Sequence, residues 1–133
     1  MPFVLDASVT AAWLLPDETD PITESVLELL SKDYAFVPAI WWYEIRNIMI
    51  IGERRKRLRP ADTSRLLSAL SKHPIILDSG PAEAEVLRLA RDHQMTIYDA
   101  VYVELAARRQ LPLATLDYRM AAAAELEAVV QVR

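Results

Sequence analysis

Cysteine is missing altogether from the 133 residues, and glycine and histidine occur only twice each. The first absence removes disulfide bonds, thiolate zinc sites and cysteine nucleophiles together, and it fits a reducing compartment. The scarcity of glycine removes the phosphate-cradling loops of dinucleotide-binding and P-loop folds, so no nucleotide cofactor is expected. Long apolar runs are also lacking. The most apolar stretch, Tyr34 to Tyr43, holds Pro38 and gives way to Glu44, Arg46 and Asn47, well short of the roughly 20 residues that a membrane span needs. The opening Met-Pro-Phe-Val-Leu-Asp has no basic segment followed by a long apolar core, so it does not read as a secretory signal. A soluble, cytoplasmic protein without membrane contact is expected. Excess positive charge is absent as well. A net charge of −4 argues against nucleic-acid binding over the whole surface, but a local basic patch or a bound metal still suffices to hold a phosphate.

What is present is a chain that folds. Apolar residues make up 53% of it and charged residues 26%, enough for a core with apolar surface left for a partner. The length suits one domain, so residues 1–133 are read as a single unit. Short β-like runs at Phe3 to Leu5, Ala35 to Val37, Ile75 to Leu77, Leu113 to Thr115 and Ala128 to Val132 alternate with helical patterns. That alternation predicts an α/β fold, a parallel sheet covered by helices. The helices are predicted to start near Ala7, Pro21, Pro38, Pro60, Pro81, Tyr98 and Tyr118, four of them on proline, which suits a first helical turn.

Four carboxylates stand out against this plan. In an open parallel sheet, ligands bind beyond the carboxyl ends of the strands, and Asp6 and Asp117 each follow a predicted strand. Each also has an ordinary explanation as a helix N-cap. Glu44 falls on a helical wheel between Ile51 on one side and Ile48 and Trp41 on the other, which predicts an inward-facing carboxylate. Such a group needs a cation, either a metal or a buried arginine. Asp99 shares a helical face with Tyr102, Val103 and Ala106; its alternative is a first-turn position favoured by the helix dipole, with Thr96 as cap. Clustered carboxylates take up protons near neutrality unless a divalent cation keeps them ionised. An oxygen-only ligand set suits Mg²⁺ or Mn²⁺ rather than zinc, and hydrolysis of a phosphate ester is the reaction class that follows.

With these residues in view, the sequence resembles the PIN-domain nucleases, and within them the VapC-like toxins of toxin-antitoxin pairs. The resemblance rests on Val4-Leu5-Asp6-Ala7-Ser8, on Pro38 followed by Tyr43-Glu44-Ile45-Arg46-Asn47, on Tyr98-Asp99-Ala100-Val101-Tyr102, and on Ala114-Thr115-Leu116-Asp117. It implies a three-layer α/β/α sandwich around a parallel sheet, with Asp6, Glu44, Asp99 and Asp117 lining one acidic pocket. Ser8 and Thr115 would then be polar supports of the metal site, with Asn47 following the acid on its helix; their alternative role is to satisfy backbone groups near helix starts. It further implies RNA cleavage, a homodimer, and an antitoxin protein that inserts a segment to block the site.

Other features bear on partners and on rival readings. Apolar residues Trp42, Met49 and Ile50 extend beyond one face of the Ile40 to Ile51 helix, which suggests an interface with a second copy or an antitoxin, or else a helix wedged within the monomer. Arg54, Arg55, Lys56, Arg57 and Arg59 form a basic run able to attract RNA phosphates, or simply a solvated helix end. Trp13, Trp41 and Trp42 read as core or interface anchors before base-stacking platforms. A phosphorelay receiver-like module would share a parallel sheet and acidic Mg²⁺ ligands, yet Asp6 has no acidic neighbour and Lys32, Lys56 and Lys72 all precede the last two β-like runs. A metal-independent ribonuclease using His73 and His93 as acid and base is a second alternative, although both lie near predicted helix C-termini, where a local structural role suffices. A nuclease-like fold kept as a catalytically silent binding module is a third.

Overall fold

A computed structural model describes residues 1–15 and 20–133. Among these residues four short strands, β1 (Phe3–Leu5), β2 (Ala35–Val37), β3 (Ile75–Leu77) and β4 (Leu113–Ala114), form a wholly parallel sheet in the order β3-β2-β1-β4. Val4 stands opposite Phe36 on one side and Leu113 on the other, fixing the register of the central strand. Phe3, Val4 and Leu5 are completely buried. An unbroken apolar run is what a strand covered on both faces requires.

The helices are α1 (Ala7–Leu14), α2 (Pro21–Lys32), α3 (Ala39–Arg54), α4 (Pro60–Leu70), α5 (Glu83–His93), α6 (Ile97–Arg109) and α7 (Tyr118–Leu126). The first two crossovers step the chain from β1 to β2 to β3, and the third returns it past β1 to β4. Because parallel crossovers are almost always right-handed, that reversal places the later helices on the opposite face. The packing agrees: α1 lies on α2 and α3, and α3 on α4, whereas α6 lies on α5, α7, β1 and β4. The result is a three-layer α/β/α sandwich. Ile45 and Met49 of α3, with Tyr102 and Leu105 of α6, are among the side chains that seal its core. Met49 therefore belongs to the core, and the apolar residues of α3 that reach solvent are Trp42, Tyr43 and Ile50.

The differences from the sequence expectation have local causes. Pro21 and Pro60 do open their helices, but Pro38 is the N-cap of α3, and α5 begins only at Glu83 after Ala82 as its N-cap. Strand β4 stops at Ala114, because the hydroxyl of Thr115 engages Asp6 and the amide of Asp117. The final apolar run joins the sheet through a single bridge, Leu113 to Gln131, since Ala128 takes a left-handed backbone with φ of 61°. Helices α5 and α6 end on Gln94 and Gln110 in left-handed conformations. Glycine usually fills that position, so the chain manages with few glycines by placing glutamines there.

One buried ion network was not foreseen from the sequence. Asp78, just past β3, accepts from the guanidiniums of Arg108 and Arg109, and Arg108 also donates to Glu104 at 2.8 Å. Burial alone would raise the Asp78 carboxyl, but these two arginines and the Gly80 amide outweigh it and hold the group at about 2.

Candidate active site

The order in which strands are added reverses between the parallel neighbours β1 and β4, so a crevice opens beyond their carboxyl ends, where open α/β sheets bind ligands. Asp6 follows β1 and Asp117 lies close beyond β4, so the two flank this crevice. Asp6 is buried, at 4% exposure, and although it occupies the N-cap position of α1 its side chain makes no cap bond. Ser8 Oγ and Thr115 Oγ1 donate instead to its Oδ2, at 2.6 and 2.7 Å. These hydroxyls also accept backbone N–H groups, Ser8 from Leu116 and Thr115 from Asp117, both at 2.9 Å. The start of α1 is thereby stitched to the end of β4, with Asp6 at the seam.

Asp117 behaves as the N-cap that the sequence allows. Its Oδ1 accepts from the amides of Arg119 and Met120 at 2.9 and 3.0 Å. Glu44, in the second turn of α3, is half-buried, and its close partner is a phenol rather than an arginine: Tyr102 Oη donates to Oε1 at 2.6 Å. Asp99 lies in the first turn of α6, where Thr96 Oγ1 accepts its backbone N–H at 3.1 Å.

Electrostatic coupling joins the four into a ring. Burial raises the carboxyl of Asp6; hydrogen bonds from Ser8, Thr115 and the Ala7 amide oppose this, Asp117 adds to it, and the net shift is upward. Burial also raises Glu44 against the opposing bond from Tyr102, with Asp6 and Asp99 pushing the same way as burial. Asp99 is raised by burial and by Asp117, opposed by Thr96. The sequence of couplings, Asp6 to Asp117 to Asp99 to Glu44 and back to Asp6, closes on itself. Burial, Asp6 and Glu44 together push the Tyr102 hydroxyl upward as well, so it remains a proton donor at neutral pH.

Among the described residues no three acidic or histidine side chains stand close enough to enclose an ion as they are. Mutual repulsion favours such spacing until a cation draws carboxylates together. The donor set nonetheless fits a hard divalent cation. It is all oxygen, and no side-chain donor among the described residues reaches Asp6 Oδ1, Glu44 Oε2 or Asp117 Oδ2.

Other predicted residues lie elsewhere. Asn47, one turn beyond Glu44, shares a groove with it and is exposed. The basic run is a turn rather than a helix face: α3 ends at Arg54, Arg55 is its C-cap, and Lys56 takes a positive φ of 59°. Ten residues of α-helix separate Glu44 from Arg54, about 15 Å. Arg59 pairs with Asp62. Trp41 is buried with Nε1 bonded to Thr10, Trp13 packs edge-on against His73, and Trp42 carries Arg46 over its ring. His93 Nε2 lies 2.7 Å from Glu127, so both imidazoles have structural partners. A separate cavity of about 450 Å³ opens at the opposite sheet edge, beside Met1 and Pro112, and holds none of the four acids.

Sequence reasoning left Tyr102 without a role, although it stands three residues after Asp99 on the same helical face. It also passed over three exposed tyrosines, Tyr43, Tyr98 and Tyr118. Their signal was simple: each directly adjoins one of the acids.

The PIN domain family model matches residues 3–126. Ribonuclease VapC3 of Pyrobaculum aerophilum is 34% identical over 125 residues, covering 91% of this chain and 93% of that protein. Among solved structures, PAE2754 from Pyrobaculum aerophilum superposes with a TM-score of 0.73 at 26% identity, covering 99% of this chain and 84% of the other. A toxin-antitoxin complex from Klebsiella pneumoniae gives 0.61 at 18% identity, covering 86% of each chain. FitAcB from Neisseria gonorrhoeae gives 0.65 at 20%, covering all of this chain and 97% of that one.

Proposed function

Because the chain belongs to the PIN-domain family, we propose that it is a ribonuclease that uses Mg²⁺ or Mn²⁺ to hydrolyse RNA phosphodiester bonds. The observation that carries this reading is the closed ring of couplings among Asp6, Asp117, Asp99 and Glu44 at the switch point of the sheet. Asp6, Glu44 and Asp99, each raised by burial and by a neighbouring acid, suit a divalent cation, with the α7 cap Asp117 beside them. Asp6, Glu44 and Asp99 would hold the ion, with Asp117 completing the set directly or through water. When bound, such a cation polarises the phosphodiester, acidifies a water and neutralises charge on the leaving oxygen.

The chain's own residues prepare that site. Ser8 and Thr115 fix the Asp6 carboxylate, and Tyr102 fixes Glu44. Supports of this kind orient ligands and tune their basicity. Asn47 lines the groove beside Glu44, in reach of substrate groups. The run Arg54, Arg55, Lys56, Arg57 and Arg59 begins about 15 Å along α3 from Glu44 and would act by long-range attraction.

The 34% identical relative is named a ribonuclease, and one structural neighbour is a toxin-antitoxin complex. These support a toxin of a toxin-antitoxin pair, working in the cytoplasm as one PIN unit under control of an antitoxin protein. The exposed Trp42 and Ile50 of α3 suit an interface with the antitoxin or with a second copy in a homodimer. No helix among the described residues is long and apolar enough to cross a membrane.

The test is RNA cleavage by the purified protein with Mg²⁺ or Mn²⁺, with a chelator, and with a folded Asp99→Asn variant. Cleavage that requires the cation and disappears in the variant is expected. Cleavage that persists in chelator and in the variant would overturn the acidic-site mechanism.

A further inference from the structure

Arg119 stands in the first turn of α7, two residues after Asp117, whose Oδ1 accepts its backbone N–H at 2.9 Å. The position does not serve the helix. A helix N-terminus carries partial positive charge and favours acids, so a guanidinium there opposes the macrodipole, and the first turn of α7 holds no acid to offset it. Nor is the side chain spent on a neighbour. Carboxylates hold Arg88, Arg108 and Arg109, whereas among the described residues the exposed Arg119 has no ion-pair partner, although it shares a groove with Asp99.

That groove, of about 430 Å³, starts at the acidic ring with Asp99, passes Thr96 and Arg119, and follows α7 as far as Leu126, about 12 Å along the helix from Tyr118. It is the way out of the crevice on the Asp99 side. An RNA strand with one phosphate over the ring and its next phosphate in this groove meets two features of α7 that favour an anion together, the amino end of the helix and the Arg119 guanidinium. The need for them is electrostatic. Even with a divalent cation bound, four ionised carboxylates leave the ring negative, and it repels the phosphates beside the reacting one.

Resting on the ribonuclease reading, we propose that Arg119 is a phosphate clamp: it binds the phosphate next to the reacting one on the Asp99 side and so sets which internucleotide bond lies over the acidic ring. The grip is on charge and position, and it carries no base preference. A guanidinium suits the task better than an ammonium, because its planar fork meets two phosphate oxygens at once. No bond is made or broken at Arg119; it holds the strand while the ring acts.

The test is a coupling cycle between this side chain and single phosphates. A short RNA is prepared with one uncharged methylphosphonate at each linkage in turn, and its affinity is measured for full-length Asp99→Asn protein, which suppresses cleavage, with and without Arg119→Gln. At one linkage, adjoining the bond that the parent cleaves, the methylphosphonate should weaken binding about 3- to 10-fold with Arg119 present and should add no loss to Arg119→Gln. At the other linkages both proteins should lose affinity equally. Arg119→Gln should also lower the slope of log affinity against log salt by about 0.7, raise KM more than it lowers kcat, and spread the cuts to neighbouring bonds, with part of each effect recovered by Arg119→Lys. Its thermal midpoint should hold or rise, since the macrodipole is no longer opposed. Equal losses in the two proteins at every linkage, an unchanged salt slope, or a midpoint that falls together with the affinity would overturn the proposal. The two readings separate. Coupling at one linkage in a protein whose parent cleaves no RNA would leave the clamp standing and sink the ribonuclease, while metal-dependent cleavage without coupling at any linkage would do the reverse.

Discussion

The hydroxyl of Tyr102 donates to Glu44 Oε1 across 2.6 Å, joining α6 to α3 over 58 residues of sequence. This bond opposes the effect of burial on Glu44 and keeps its carboxylate ionised more readily. Tyr102→Phe removes the donor and leaves the buried ring in place. We expect metal affinity and the cleavage rate to fall about 10- to 100-fold, as for other supports of metal ligands, with little change in thermal midpoint. Calorimetric Mn²⁺ titration beside a cleavage assay checks this; an unaltered affinity would mean that the phenol is only a core residue.

The acidic ring makes stability depend on pH and on cation. Asp6, Glu44 and Asp99 are all raised, so just above the ordinary carboxylate range the folded chain binds protons that the unfolded chain has released. The stability of the metal-free protein therefore falls as pH rises through that window. A cation that binds only the folded form restores about 2.7 kcal/mol at a hundredfold excess over its Kd. At pH 8 the melting temperature should rise by several degrees on adding Mg²⁺ or Mn²⁺. Asp99→Asn should raise the metal-free value and abolish the response. A midpoint indifferent to cation, or lowered by Asp99→Asn in chelator, would contradict the account.

Asp78 gives the opposite sign. Held at about 2, it contributes stability that is present above the ordinary aspartate value of about 4 and is lost as pH falls through about 2. Asp78→Asn strips the charge partner from Arg109 and leaves Arg108 with Glu104 alone. Both guanidiniums are only about one-third exposed, 34% and 36%, so the cost should lie near the low end of the roughly 3–5 kcal/mol for a broken buried pair. Urea denaturation at pH 7 and at pH 3 measures it, and the difference between variant and parent should shrink at the lower pH.

The remote basic turn should affect association rather than chemistry. Replacing Arg54 and Arg55 by glutamine should weaken RNA capture at low salt, reduce the salt slope by about 0.7 for each phosphate no longer neutralised, and leave kcat unchanged. A fall in kcat measured at saturating RNA would show that the turn reaches the reacting phosphate after all.

Much of this molecule was legible in its sequence because the informative features were local. Strand β1 is a continuous apolar run that ends on Asp6, and Phe3 to Leu5 is the observed strand. The helix starts at Ala7, Pro21, Pro60 and Tyr118 were equally local and fell in place. The truncation of β4 depends on Thr115 meeting Asp6 across 109 residues, and no periodicity encodes such a meeting. The same holds for the Asp78 network, whose arginines come from α6, 30 residues onward. Glu44 illustrates the boundary well. Its wheel position predicted an inward carboxylate in need of a partner, but whether that partner was an arginine or the phenol of Tyr102 was a tertiary fact. The exposed tyrosines were missed for another reason: pattern reading assigns aromatics to cores, and these three stand at the shoulders of acids instead.

The central claim is that Asp6, Glu44, Asp99 and Asp117 act as one divalent-cation site. It is tested most directly by calorimetric Mn²⁺ titration of the parent protein and of the four folded variants Asp6→Asn, Glu44→Gln, Asp99→Asn and Asp117→Asn. The account predicts saturable binding in the parent and a marked loss of affinity in every variant, smallest for Asp117→Asn because that residue also caps α7. Parent-like Mn²⁺ affinity in Asp6→Asn, Glu44→Gln and Asp99→Asn together would contradict it.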